Sequence, residues 1–161
     1  MSRKLSMSPD ISYVLGVSRL GKEEPSISVE SRSDEVVERF TRIALQILGI
    51  RPEKMLVSED DGLKRILFYD SRAKRLLSDA LADRERIFKY RNEYSGSYFA
   101  GLFDARGGID KRGLFLMHID MKDVMVLVRL NFRVAGRGTF RIRNSGEFLE
   151  FIKPYSATLP G

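Results

Sequence analysis

The chain has 161 residues, with 28 Lys and Arg against 22 Asp and Glu, giving a formal net charge of +6. It contains no cysteine and one histidine, His118, which excludes thiolate zinc sites, cysteine nucleophiles and multi-histidine metal centres. The length suits one compact domain or two small fused halves, the basic balance favours a polyanionic partner, and no apolar run approaches the length of a membrane span.

The opening "MSRKLSMSPDISYVLGVSRLG" is too polar for a signal peptide, so a cytoplasmic protein is expected. Next, "SISVESR" alternates Ile27 and Val29 with Ser28 and Glu30, the period of a half-buried strand. In "SDEVVERFTRIALQILGI", Val36, Val37, Phe40, Ile43, Ala44, Ile47 and Leu48 share one helical face; Ser33 or Asp34 caps its start and Gly49 supplies a left-handed stop. "KMLVSEDDGLKRILFYD" predicts two strands around a turn at Asp60, Asp61 and Gly62. "SRAKRLLSDALAD" then predicts a helix with Leu76, Leu77, Ala80 and Leu81 inward.

The basic, aromatic "RERIFKYRNEYSG" has the composition of a linker rather than of core. After it the order begins again: a short helix "SYFAGLFDA", a strand "GLFLMHID", a stretch over 121–134, a strand "TFRIRN" and a helix "SGEFLEFIKPY". The stretch over 121–134 alternates like a strand at its end and starts like a helix; aligning "HIDMKDVM" with "ESRSDEVV" favours helix. The expected organisation is a first half at 1–83, a linker at 84–96, and a second, shortened half at 97–161. Gln46 is the sole glutamine and asparagine occurs three times, a depletion of amides typical of thermophilic proteins.

The two halves share "YVLGVSRLG" at 13–21 and "FAGLFDARG" at 99–107. Gly16 and Gly101 would lie inside helices, where glycine costs about 1 kcal/mol against alanine. Close approach of two helices through small residues, Ala105 among them, is the physical reason available for that cost.

On these motifs the chain resembles the LAGLIDADG homing endonucleases in their single-chain, two-motif form. "FAGLFDARGG" is similar to the motif, "VLGVSRLGK" to a degenerate first copy, and the basic run into the second motif to archaeal intron-encoded members. The resemblance implies an α+β fold with pseudo-twofold symmetry, in which two helix and antiparallel-sheet units form a saddle along the DNA major groove. It also implies a monomer that cleaves both strands using Mg²⁺ held by an acidic residue at the end of each motif helix, because a hard cation needs oxygen ligands.

The acid positions of that pattern fall on Gly21 and Arg106, neither of which can ligate Mg²⁺ through its side chain. Asp104 lies about 200° round the helix from Arg106 and is expected to be structural; Asp110, Glu23 and Glu24 are the nearest other carboxylates. The expected activity is therefore duplex DNA binding without cleavage and without a cofactor, in a regulatory or chromosome-associated role. Arg106 then acts as a phosphate clamp or is an arginine merely tolerated. The alternatives are a divergent endonuclease that still uses Mg²⁺, and a maturase-like protein that binds structured intron RNA. Strand alternation puts Thr139, Arg141 and Arg143 on one face, with Arg137 extending the row, a pattern suited to guanine edges and phosphates. Arg32, Lys64, Arg65, Lys111 and Arg112 complete the candidate DNA contacts, and His118 is expected at a core or edge position.

Overall fold

A computed structural model of the protein describes residues 6–160. The first half runs α1 (Pro9–Val17), β1 (Arg19–Leu20), β2 (Ser26–Ser31), α2 (Asp34–Gln46), β3 (Leu56–Asp60), β4 (Leu63–Tyr69) and α3 (Ser71–Ala82). A short helix α4 (Arg84–Ile87) leads to α5 (Glu93–Arg106), β5 (Gly107–Asp110), β6 (Gly113–Met117), α6 (Met121–Arg129), β7 (Val134–Arg137), β8 (Thr139–Ile142) and α7 (Ser145–Ile152). Each half builds one antiparallel sheet of four strands, in the orders β1-β2-β4-β3 and β5-β6-β8-β7.

Local chemistry sets the element ends. Ser33 Oγ accepts from the Val36 amide at the start of α2, whose apolar stripe Val36, Val37, Phe40, Ile43 and Ala44 is buried. Gly49 follows with φ 71°, a backbone conformation that a side chain disfavours. Asp120 and Asp123 form a reciprocal capping box on α6, and Asn92 and Ser95 do the same on α5. Asp61 and Gly62 both have positive φ, as a two-residue hairpin between β3 and β4 requires.

The middle of the fold is the crossing of α1 and α5. A Cβ on Gly16 would fall 2.1 Å from the Tyr98 carbonyl oxygen, and one on Gly101 would fall 2.4 Å from the Tyr13 carbonyl oxygen. Each glycine thus meets the residue three places before the other. This reciprocal contact is the pseudo-twofold relation in its smallest form, and it explains why glycine is kept inside both helices. Ala105 lies one turn beyond the crossing and is partly buried against the core.

Several sequence expectations need correction. The basic run after α3, read as a linker rather than core, sends two side chains into the core: Arg84 and Phe88 are buried and Phe88 stacks on Tyr98 at 4.7 Å, while Arg86, Lys89, Tyr90 and Arg91 are exposed; α5 begins four residues before Ser97. The 121–134 stretch is helical only to Arg129; Asn131 at φ 69° turns the chain, and the residues from Val134 form β7. The second half has as many strands as the first, because β5 and β7 were hidden in short glycine-containing runs.

Beyond α7 the tail is fastened to both halves. Asp104 accepts hydrogen bonds from Tyr13 Oη (2.8 Å), Ser156 Oγ (2.6 Å), the Ala157 amide (2.7 Å) and Thr158 Oγ1 (2.7 Å). Arg39 of α2 donates to the Tyr155 carbonyl and lies over the Tyr13 ring. Burial, reinforced by Asp104, pushes the Tyr13 hydroxyl well above its ordinary range, so it remains a donor. Hydrogen bonds to a charged acceptor contribute about 1.5–3 kcal/mol each at most. Asp104→Asn is expected to cost about 2 kcal/mol and to expose the segment after Ile152 to limited proteolysis under native conditions. An unchanged cleavage pattern would show that the tail is held elsewhere.

Candidate nucleic-acid interface

The two motif helices end differently. Gly16 and Gly101 are equivalent at the crossing. Ser28 and Phe115 are equivalent in the sheets, since each stands five residues before the cap of the following helix. Arg19 pairs with Ser28, and Gly108 with Phe115. Three residues therefore carry the chain from crossing to strand in the first half, and seven in the second. Helix α1 lacks four residues, about one turn or 6 Å of rise. Gly21 consequently does not sit at a helix end. It lies in the turn after β1, with its amide bonded to the Ser26 carbonyl at 3.0 Å.

Arg106 is the last residue of α5, as the sequence suggests. Its guanidinium points inward: Nη1 donates to the His118 carbonyl (3.0 Å) and Nη2 to the Ser18 carbonyl (3.3 Å) at the end of α1. Its Nε is buried without a partner among the described residues. Burial, and then the charge of Arg19, lower its pKa from the ordinary arginine value. The fork expected to grip phosphate is thus engaged by two backbone carbonyls, and the positive charge lies against the negative end of α1. His118, at φ 56°, is an exposed residue at the end of β6 and supplies its carbonyl to this bridge.

Two of the carboxylates close to the motifs in sequence are engaged elsewhere. Asp104 holds the tail, and Asp110 accepts a two-pronged pair from Arg141 at 2.7 and 2.8 Å. That pair, helped by the Arg112 amide, holds the Asp110 carboxyl down at about 2. Glu23 and Glu24 are exposed in the turn between β1 and β2. Among the described residues no three acidic or histidine side chains converge as a metal site. The donor set does not fit Mg²⁺, because one helix ends in a guanidinium and the other stops a turn early.

The outer sheet faces, turned away from the helices, are fixed by register. In the second sheet Gly108, Phe115, Arg141 and Ala135 form one cross-strand row, and Met117, Thr139 and Arg137 form the next. Leu114, Leu116 and Ile142 face the core instead. Arg137, Thr139, Arg141 and Arg143 therefore share the outer face, as the alternation predicts. With Arg112 from the β5–β6 turn, Thr139, Arg141 and Arg143 line an open groove of about 700 Å³. Lys111 is exposed in the same turn. The Arg141 guanidinium lies 5.6 Å from the centroid of Phe115, a residue the sequence reading did not single out.

In the first half only part of the candidate set reaches the outer face. Arg65 does, opposite Glu30 and Ser58, and its Nε lies 3.5 Å from Glu30. Lys64 is on the other face, ion-paired to Asp34 of α2 at 2.6 Å, so its assignment as a DNA contact is corrected. Adjacent strand residues point to opposite sides, and Lys64 and Arg65 cannot both face outward. Arg32 is tied to the Asp61 carbonyl at 2.6 Å. Arg19, missed because β1 is only two residues long, does lie on the outer face opposite Ser28.

No protein-family model and no curated protein matches the sequence. Solved structures do match it. A mesophilic variant of the homing endonuclease I-DmoI superposes with a TM-score of 0.68 at 13% identity, over 93% of this chain and 98% of that one. I-DmoI in complex with DNA and Mn superposes with a TM-score of 0.66 at 15% identity, over 89% and 96% of the two chains. The N-terminal LAGLIDADG domain of DUF199/WhiA gives 0.59 at 15% identity, over 89% and 80%.

The chain has the LAGLIDADG fold. The α+β architecture, the central pair of helices and the two four-stranded sheets are accounted for by it. Within this fold, the departures at the ends of α1 and α5 are features of this chain's own residues.

Proposed function

We propose that the protein binds duplex DNA across the outer faces of its sheets and does not cleave it, acting inside the cell as a monomeric regulatory or chromosome-associated factor. The observation that carries the reading is the row Arg137, Thr139, Arg141 and Arg143 on the outer face of the second sheet, beside Lys111 and Arg112. Arginines on a strand laid in the major groove can meet guanine O6 and N7 or take phosphates. The complex of I-DmoI with DNA supports duplex DNA as the partner. The guanidinium at the end of α5 and the missing turn of α1 support the absence of cleavage. Among the described residues no helix is long and apolar enough to cross a membrane.

Selection of bound sequences from a random duplex pool tests the reading, followed by incubation of the selected duplex with the protein and Mg²⁺ or Mn²⁺. An enriched motif recovered intact is expected. Specific double-strand cleavage would restore the endonuclease reading, and complete competition by structured RNA with no enriched motif would replace DNA by RNA.

The Asp110–Arg141 pair makes a separate prediction. Because Asp110 is held at about 2, the pair loses its charge only as pH falls through that value, well below the pH of any binding measurement. Substitution is the way to open it. Asp110→Asn removes an acid from the basic face and frees Arg141, so it is expected to tighten binding about tenfold and to steepen the salt dependence by about one counterion. Titrations at several salt concentrations check this; weaker binding would mean that the pair positions Arg141 for contact.

A further inference from the structure

The pseudo-twofold fold presents two outer faces, and their charges differ. On the first sheet Arg19 and Arg65 are offset by Glu30 and by Asp60, which register places beside Leu63 on the same side. The rest of that face is Ser28, Ser58, Leu56, Leu67 and Tyr69, with Leu56 55% exposed. Its hairpin turns are acidic on balance, carrying Lys22, Glu23 and Glu24 at one end and Asp61 at the other. The second face carries Arg137, Arg141 and Arg143 against Asp110 alone, and its turns add Lys111 and Arg112.

Pairing sharpens the contrast. In the first half Arg65 faces Glu30, Lys64 is bound to Asp34 and Arg32 is bound to the Asp61 carbonyl, which leaves Arg19 and Lys22 as its cations near this face without an ion pair among the described residues. In the second half Lys111, Arg112, Arg137 and Arg143 make no ion pair among the described residues. A phosphate backbone is attracted by unpaired cations and repelled by the acidic turns, and the attraction sets both affinity and salt slope.

We infer that the protein grips a single half-site: the second sheet, β5 to β8, seats in the groove, while the first sheet contributes little to affinity. This rests on the duplex-binding reading and specifies the form of the partner. A four-stranded sheet is about 19 Å across at ~4.8 Å per strand, which matches about six base-pair steps of 3.4 Å. The recognised sequence is then short and not palindromic, although the protein has two halves of one architecture.

The test is hydroxyl-radical footprinting and salt titration on the duplex selected from the random pool, with the full chain. The expected footprint covers about six base pairs of strong protection. Arg137→Ala and Arg143→Ala are each expected to weaken binding about tenfold and to lower the salt slope by about one; Arg19→Ala and Arg65→Ala should stay within about twofold. All four side chains lie on the sheet surface away from the core, so these variants report on contact. A footprint twice as long, or equal losses from both faces, would overturn the half-site inference while leaving duplex binding intact. Absence of any duplex complex with the unsubstituted protein would instead overturn the duplex-binding reading, and this inference with it.

Discussion

Gly101→Ala is expected to destabilise the protein by about 3 kcal/mol or more in urea denaturation, and Gly16→Ala by at least as much. The added Cβ at Gly101 would stand 2.4 Å from the Tyr13 carbonyl oxygen and 2.8 Å from the Val17 nitrogen. At Gly16 it would stand 2.1 Å from the Tyr98 oxygen and 2.9 Å from the Leu102 nitrogen. These neighbours are backbone atoms of a facing helix, so no rotamer change relieves the clash. Alanine regains about 1 kcal/mol of helix propensity. Relief requires α1 and α5 to part by roughly 1 Å, which removes contacts along buried Val14, Leu15, Phe99 and Leu102 and leaves gaps too small for water. The two glycines share one crossing, so the double variant should lose less than the sum of the single losses. An unchanged denaturation midpoint for either variant would sink the argument.

Arg84→Met carries a comparable expectation, a loss of about 3–5 kcal/mol, for an electrostatic reason. The Arg84 side chain is 6% exposed and that of Asp123 is 3% exposed; Nη1 reaches Asp123 at 3.0 Å and Nη2 reaches Asp120 at 2.5 Å. Tyr98 Oη donates to the same Asp123 oxygen. Burial alone would lower the arginine's pKa, but Tyr98 and the aspartates outweigh it and hold Arg84 charged. For Asp123 burial dominates, pushing the carboxyl above its ordinary value despite Tyr98 and Arg84. Methionine in place of Arg84 leaves that carboxylate buried with only a phenol and the Asp120 amide as partners. A carboxyl whose pKa is raised by folding takes up a proton as the chain folds, so stability falls as pH rises through its folded value. The deficit should therefore shrink as pH is lowered from neutrality. Adding Asp123→Asn to Arg84→Met should recover part of the loss at neutral pH. A deficit independent of pH and unaffected by Asp123→Asn would point to packing alone.

How much of this was legible beforehand varies with the length of the element. The α2 stripe spans 13 residues, and its period is unambiguous. The glycine pair was legible because two similar motifs repeat the same cost at the same place. The row 137, 139, 141 and 143 was legible because strict alternation leaves one choice of face. By contrast, β1 has two residues and β5 four, both leaving a motif helix almost directly, so no period can develop. The length of α1 was equally hidden, since "VLGVSRLG" can be laid on the motif without a gap; only the strand pairing of Arg19 shows that a turn is absent. Arg84 is hidden for a different reason: nothing in a charged run marks one arginine as buried until Asp120 and Asp123, 36 and 39 residues away, close around it.

The short α1 also bears on reversibility. A hard divalent cation at the axis would need a carboxylate from each helix end. Arg106→Asp would place a carboxylate at one helix end only. No point mutation between Val17 and Gly21 can bring a second one opposite, because those residues already leave the helix and enter β1. Recovery of a symmetric pair demands an in-frame insertion of about four codons that lengthens α1 by a turn without shifting the Arg19–Ser28 pairing. A pair of carboxylates at this crossing is therefore several coordinated changes away from the present chain.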